Sequence, residues 1–142
     1  MKDCPFCKIV KHELPCTKIY EDDLILGFLD IAPINPGHAL LIPKTHHVSL
    51  TTVPAACLDR LMNMAPRIAQ AIVREVDGEG FNIHLANGKC AGQAIPHVHL
   101  HLVPRGVADG FSWGWRSLRL DEKKHKDLAV KIIRRLDKRE KT

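Results

Sequence analysis

The stretch His97-Val98-His99-Leu100-His101-Leu102-Val103 is the most informative segment of this 142-residue chain. Three histidines alternate with apolar residues, and side chains on a β-strand point to opposite faces with a period of two. The pattern predicts a strand whose apolar side chains enter a core. The three imidazoles then share the other face, about 6.5–7 Å from one to the next.

The elements around this strand predict an α+β fold. Short apolar segments bounded by turn residues indicate strands, and one long stretch has the i, i+3, i+4, i+7 spacing of an amphipathic helix. A basic segment near the end has apolar residues four apart and predicts a second helix. We expect an antiparallel sheet of about five strands with a long central helix and a C-terminal helix. The expected strands are 18–20, 24–29, 38–42, 81–86 and 97–103, and the expected helices are 54–76 and 122–138.

Length and composition are those of a single globular domain, with 45% apolar residues. No run of 18 or more apolar residues occurs, so we expect no membrane span. The segment that begins at Met1 has no long apolar region, which argues against secretion. Five cysteines, an odd number, disfavour a disulfide framework. The chain is therefore expected to be a cytoplasmic enzyme or binding protein.

The net charge of +5 is concentrated at the C-terminal end. Residues 116–142 hold 11 Lys and Arg against 5 Asp and Glu, while the rest of the chain holds 10 against 11. One interpretation is the solvated face of an amphipathic helix. Another is attraction of a polyanion or an anionic substrate. No motif indicates nucleic acid in particular.

Three same-face histidines allow three interpretations. They could bind a catalytic metal, although side chains evenly spaced along one strand rarely converge on a single ion. They could be structural, or they could perform nucleophilic and acid–base catalysis on an anionic substrate. The preceding loop favours the last interpretation, because Gly88 and Gly92 let backbone N–H groups approach phosphate oxygens.

The pair Cys4 and Cys7 forms a C-x-x-C, which is half of a tetrahedral zinc site. The chain has no second such pair, so the other ligands must come from elsewhere, and His46, His47 and His97 are the candidates. Two unrelated thiols remain an alternative. A redox pair is disfavoured, because no strand precedes the motif.

In these features the chain resembles the histidine triad (HIT) superfamily, in its zinc-binding bacterial and archaeal nucleotide hydrolase branch. The segment 97–103 resembles the family's His-φ-His-φ-His-φ-φ signature, where φ is apolar. Further similar segments follow the family's order along nearly the whole chain: 4–9, 28–33, 36–38, 42–46, 87–88 and 91–93.

The resemblance implies a homodimer whose sheets join across the subunits. It also implies a purine nucleotide or nucleotidyl conjugate as substrate, and hydrolysis or transfer at the α-phosphate. His99 would be the nucleophile, forming a nucleotidyl-histidine. His101 would support the phosphate charge, and His97 would orient the site. The implied nucleotide-binding residues are Phe6, Ile9, Phe28, Asp30, Ile31, Asn87, Gly92, Gln93 and Ala94.

By the same matching, the metal ligands would be Cys4, Cys7, His46 and His97, holding a structural zinc. Ala94 departs from the family, because several members have Ser or Thr there. That departure leaves the leaving-group preference open, and it leaves room for a non-enzymatic nucleotide-binding regulatory module.

The catalytic HIT domain is expected at residues 1–115, with a basic helical extension of the same domain at 116–142. Trp113 and Trp115 could be core residues, or could line the substrate mouth or the dimer interface.

Overall fold

A computed structural model describes residues 3–114, 117–119 and 121–137. The helices are α1 (Pro5–Val10), α2 (Ala55–Glu75) and α3 (Glu122–Asp137). The strands are β1 (Lys18–Glu21), β2 (Ile25–Leu29), β3 (Ala39–Pro43), β4 (Gly80–His84) and β5 (Leu100–Arg105). The α+β prediction with five strands and a long central helix is confirmed.

The five strands form one antiparallel sheet in the order β1-β2-β3-β5-β4. In this register His101 lies opposite Leu40 of β3 and His84 of β4. His101, one of the three histidines, is therefore flanked by a paired strand on each side.

The strand predicted at 97–103 begins three residues later, at Leu100. If the register that pairs Leu41 with Leu100 continued toward the start of the segment, Val98 would lie opposite Pro43. Proline has no N–H to continue the ladder, and the Val98 N–H donates instead to the His47 carbonyl oxygen at 2.7 Å. His97 and His99 therefore precede the strand, and only His101 lies within it.

The two faces of the sheet carry different cores. On one face, Val98, Leu100 and Leu102 pack with buried side chains of α2, among them Leu61 and Ala65. This confirms that the apolar residues between the histidines point into a core. The other face carries a smaller cluster with α1, formed by Cys4, Phe6, Leu26, Phe28, Leu40 and Ile42. The triad histidines belong to this second face.

The chain divides into two compact units, residues 1–111 and 112–142. The second unit contains α3, along which the apolar side chains of Leu128, Ile132 and Leu136 are about half exposed. Trp115 lies outside the described residues. No described helix combines the length and the apolar character needed to span a bilayer.

Candidate active site and metal centre

Two cysteines and two histidines meet at the start of α1. The Sγ of Cys4 lies 3.4 Å from Nδ1 of His97, and the Sγ of Cys7 lies 3.3 Å from Nδ1 of His46. The four ligand atoms all lie within 4.8 Å of one another. The fold thus brings together the four residues that the resemblance implies as metal ligands. His47 is not part of this group, and its Nδ1 lies 3.5 Å from Oγ1 of Thr52.

The hydrogen bonding of His97 prepares its ring for a metal. Its Nε2 lies 2.9 Å from the Pro43 carbonyl oxygen, which can only accept, so Nε2 carries the proton. Nδ1 then presents a lone pair to the thiols. Burial lowers the pKa of His97 to about 4, which keeps the ring neutral as a ligand requires. A second hydrogen bond that fixes the tautomer is the usual support of a metal-bound histidine.

His99 is buried, and its tautomer is also fixed by the backbone. Its Nδ1 lies 2.7 Å from the His97 carbonyl oxygen and must donate to it. The lone pair of the neutral ring is therefore on Nε2, the nitrogen that can attack an electrophile. The Phe6 ring contacts His99 edge-on with centroids 5.3 Å apart, which fixes the imidazole from the other side.

His101 is oriented by His38, a residue whose role has no signal in the sequence. The Ile34 N–H donates to Nδ1 of His38 at 3.1 Å, so the proton of the neutral His38 ring is on Nε2. That Nε2 lies 2.9 Å from Nδ1 of His101 and donates to it. The remaining nitrogen of His101, Nε2, then carries a proton and can donate to a phosphate oxygen.

Two imidazoles of the site, those of His101 and His38, have lowered pKa values. Burial, reinforced by the neighbouring His99 and His38, lowers the pKa of His101 to about 4. Burial also lowers the pKa of His38. Asp30 opposes this effect, with Oδ2 3.6 Å from Nε2 of His38. His101 is therefore a neutral hydrogen-bond donor rather than a cation.

The loop between β4 and β5 is held by two side chains predicted to bind the nucleotide. The buried Gln93 accepts from the Gly88 N–H at 2.7 Å and donates to the Val48 carbonyl oxygen at 2.8 Å. Asn87 accepts from the Leu50 N–H at 2.7 Å. Gly92 has φ +91° with no atom close to where a Cβ would lie, and Ala94 is exposed. The side-chain amides of Gln93 and Asn87 thus hold the loop in shape, and the backbone at Gly92 stays accessible.

Three large apolar residues among those implied to bind the nucleotide pack together. Phe6 and Phe28 are buried with ring centroids 5.7 Å apart, and Ile9 packs against their cluster. Ile31 does not join them, because its side chain is 99% exposed on the loop after β2. Asp30, next to it, accepts from the Ala32 N–H through Oδ1, while Oδ2 faces the two histidines.

Comparisons with known proteins identify the family of this chain. A protein-family model, that of the HIT domain, matches residues 11–107. A relative in Saccharomyces cerevisiae, adenosine 5'-monophosphoramidase HNT1, is 40% identical over 134 residues, which are 91% of this chain and 82% of that protein. Adenylylsulfatase HINT3 of Arabidopsis thaliana is 43% identical over 117 residues, 82% of this chain, and this chain spans 59% of that relative's length.

Solved structures agree with these matches. The crystal structure of a Zn-bound histidine triad family protein from Mycobacterium smegmatis superposes with a TM-score of 0.74 and 39% identity, covering 96% of this chain and 97% of that one. The chain belongs to the HIT family. The sequence prediction of the family and of its fold is confirmed.

Proposed function

We propose that this HIT-family protein hydrolyses nucleotidyl conjugates at the α-phosphorus, with His99 as nucleophile. The sequence prediction of a nucleotide hydrolase is confirmed by its relatives, an adenosine 5'-monophosphoramidase and an adenylylsulfatase. The single observation that carries the assignment to His99 is its hydrogen bond to the His97 carbonyl, which leaves a lone pair on Nε2. The expected substrates are nucleoside phosphoramidates, dinucleoside polyphosphates and related conjugates of a purine nucleotide.

The reaction follows from the tautomers of the two catalytic histidines. Nε2 of His99 attacks the α-phosphorus, the bond from phosphorus to the leaving group breaks, and a nucleotidyl-His99 forms. The Nε2–H of His101 donates a hydrogen bond to a non-bridging oxygen of the α-phosphate and stabilises the charge that develops there, and the leaving group departs with the electron pair of the broken bond and takes any proton it needs from water. Water then attacks the phosphorus and loses a proton to the solvent, the bond between phosphorus and Nε2 breaks, and the nucleotide and the neutral ring of His99 are released. Two displacements replace one difficult step, the usual advantage of covalent catalysis.

Nucleotide binding is assigned to the two sides of this centre. The Asp30 carboxylate accepts hydrogen bonds from the ribose hydroxyls, and Phe6, Ile9 and Phe28 form an apolar wall for the base. Ile31 is added to that wall as the exposed side chain that covers the base on binding. The phosphate lies on the loop that contains Asn87, Gly92, Gln93 and Ala94, where the open backbone at Gly92 supports a close approach.

We also propose that Cys4, Cys7, His46 and His97 hold a structural zinc. Two thiols and two imidazoles without a carboxylate form a donor set typical of zinc, and four protein ligands leave no open position for catalysis. The zinc-bound relative from Mycobacterium smegmatis supports this assignment. The ion would tie α1, and with it Phe6, to the segment that precedes the catalytic strand.

The assembly is proposed to be a homodimer formed through β4. Among the described strands β4 lies at one edge of the sheet, and it exposes Phe81 and Ile83. Exposed apolar side chains on an edge strand favour pairing with another chain.

The proposed compartment is the cytoplasm. None of the five cysteines forms a disulfide, which supports a reducing environment.

The function is tested with a panel of adenosine and guanosine phosphoramidates, dinucleoside polyphosphates and adenylyl sulfate. We expect turnover of at least one class, and mass spectrometry of the quenched reaction should find a nucleotidyl adduct on the peptide that contains His99. His99→Asn should bind nucleotide but form no adduct. Full activity of His99→Asn would remove it as the nucleophile. Nucleotide binding by the wild type without any turnover would favour the regulatory binding module.

A further inference from the structure

The loop that contains both Asp30 and His38 is fastened to the end of the catalytic strand by one side chain, that of Asn35. Its Nδ2 donates to the Pro104 carbonyl oxygen and to Oδ2 of Asp109, both at 2.9 Å. Pro104 is the penultimate residue of β5, the strand that contains His101. Asn35 therefore joins the proposed ribose loop to the strand from which the phosphate is contacted.

Asp109 is itself held in place by Arg105. The Arg105 guanidinium donates to both carboxylate oxygens, at 2.6 and 2.9 Å, and also to the Phe111 carbonyl oxygen at 2.6 Å. The Phe111 N–H donates back to Asp109 at 3.0 Å. Arg105 holds the pKa of Asp109 well below its usual range, so the carboxylate stays charged and accepts strongly at neutral pH.

The backbone on both sides of Asp109 adopts an uncommon conformation. Ala108 has φ +57° and Gly110 has φ +76°. A left-handed conformation is unfavourable for alanine, and it persists only where the surroundings fix it. The chain therefore bends sharply around Asp109, and the bend directs this carboxylate to Asn35 and Arg105.

Within the loop, the backbone of Asn35 acts on His38 directly. The His38 N–H donates to the Asn35 carbonyl oxygen at 3.0 Å, and the His38 carbonyl oxygen accepts from the Asp30 N–H at 2.9 Å. A displacement of Asn35 therefore moves the ring that orients His101 and the carboxylate that faces it.

We propose that Asn35, held by Asp109 and Arg105, is a positioning residue that sets the preference of this site for ribonucleotides over 2'-deoxyribonucleotides. It acts through Asp30, whose carboxylate must meet the ribose hydroxyls within hydrogen-bond distance. This inference rests on the proposed function, since it requires Asp30 to bind ribose.

The test compares the dissociation constants of AMP and 2'-deoxy-AMP for the zinc-loaded protein by calorimetry. The wild type should prefer AMP. In Asn35→Ala the ratio of the two constants should fall by about fivefold or more, because Asp30 is then no longer held where it accepts from the 2'-hydroxyl, and a hydrogen bond to a charged group has at least this effect. Asn35→Asp keeps the side-chain shape but removes the donors and places a carboxylate against Asp109, so it should reduce the ratio at least as much.

Arg60→Met is the matched control. Arg60 binds Asp22 and Tyr20 in a second carboxylate–arginine cluster, which joins the β1–β2 turn to α2 and does not involve the ribose loop. The Arg60→Met substitution should lower the melting temperature but leave the ratio of the two dissociation constants unchanged. Asp109→Asn, which keeps an oxygen acceptor for Asn35, should give an intermediate ratio, and it serves as the second variant if the Asn35 variants do not fold.

Three results would overturn the inference. An unchanged ratio in Asn35→Ala, with only a lower melting temperature as in Arg60→Met, would show a merely structural role and leave the proposed function intact. An equal loss of the ratio in Arg60→Met would show that any destabilisation has this effect. A wild type that binds neither nucleotide would remove the proposed function together with the inference.

Discussion

Nε2 of His38 lies 2.9 Å from Nδ1 of His101, and this contact determines which nitrogen of His101 carries the proton toward the substrate. Because the Ile34 N–H occupies Nδ1 of His38, the ring of His38 can only donate to its neighbour when neutral. The Ile34 amide thus fixes the tautomer of His38 and, through it, the tautomer of His101. The tautomer of His99, the proposed nucleophile, is fixed in the same way by a backbone carbonyl, so the main chain sets the tautomers of both histidines for which we propose a catalytic role.

Replacing His38 should therefore reduce turnover more than binding. In His38→Phe the ring volume is retained but the donor to His101 is lost, so His101 distributes its proton over both nitrogens. We expect kcat to fall by about tenfold or more, the effect of weakening one hydrogen bond to a charged phosphate oxygen, with a smaller change in KM. His38→Gln keeps an amide N–H near the same position and should recover part of kcat in steady-state kinetics. Equal kcat values for Phe and Gln would contradict the tautomer argument.

Gln93 should stabilise the phosphate loop. Its buried amide joins the Gly88 N–H to the Val48 carbonyl oxygen, so Gln93→Ala leaves both of these groups without their partner. The expected loss in the free energy of unfolding is about 1–3 kcal/mol, measured by urea denaturation, with a lower kcat/KM. Gln70→Ala, at an exposed position of α2, is the control and should change stability by less than about 0.5 kcal/mol. A Gln93→Ala protein as stable as the control would show that water replaces the amide.

The sequence predicts the elements well because their signals are local. The alternation of His and apolar residues predicts the segment of the three histidines and its core-facing side chains, and the helical spacing predicts α2. What could not be predicted depends on contacts between distant residues. The strand starts at Leu100 because Pro43 ends the neighbouring ladder, and His38 acquires its role only when β3 pairs with β5.

The metal cluster and the base-binding residues show the same distinction. Spacing alone left His46, His47 and His97 as equivalent partners of the cysteines, and only the resemblance selected two of them. The folded chain separates the rings of the adjacent histidines, because the His46 ring faces Cys7 while the His47 ring lies next to the Thr52 hydroxyl. The loop geometry that exposes Ile31 likewise has no local sequence signal.

Removing a proposed zinc ligand should remove the ion and loosen α1. Cys4→Ser should lower the zinc content from about one ion per chain toward zero, because four protein ligands form the complete site, and should lower the melting temperature. Cys16→Ser, a thiol outside the cluster, is the matched control and should keep its zinc. His99→Ala should also keep it. Loss of zinc in His99→Ala, measured by elemental analysis, would instead indicate a metal bound by the triad.

The depressed pKa of His101 predicts a pH dependence of stability. The folded chain has a pKa of about 4 at this residue, against 6.5 for an unperturbed imidazole. As the pH falls below 6.5, the unfolded chain binds a proton that the folded chain does not. The free energy of unfolding therefore decreases between pH 6.5 and about 4 and levels off below that.

His101→Asn removes this contribution. Urea titrations at several pH values give the unfolding free energies of the wild type and the variant. Between pH 6.5 and about 4, the free energy of unfolding of the wild type should decrease more than that of the variant. A difference independent of pH would mean that burial does not keep His101 neutral.

A charge on β4 should prevent the proposed dimer. Ile83 is 38% exposed on β4, so a lysine fits there without disturbing the core, yet it would place a charge at the surface that meets the second chain. We expect Ile83→Lys to sediment as a monomer in analytical ultracentrifugation at concentrations where the wild type is a dimer. Ile19→Lys is the matched control, because Ile19 is 41% exposed on β1, at the opposite edge of the sheet. It should remain a dimer, whereas a dimeric Ile83→Lys would place the interface elsewhere.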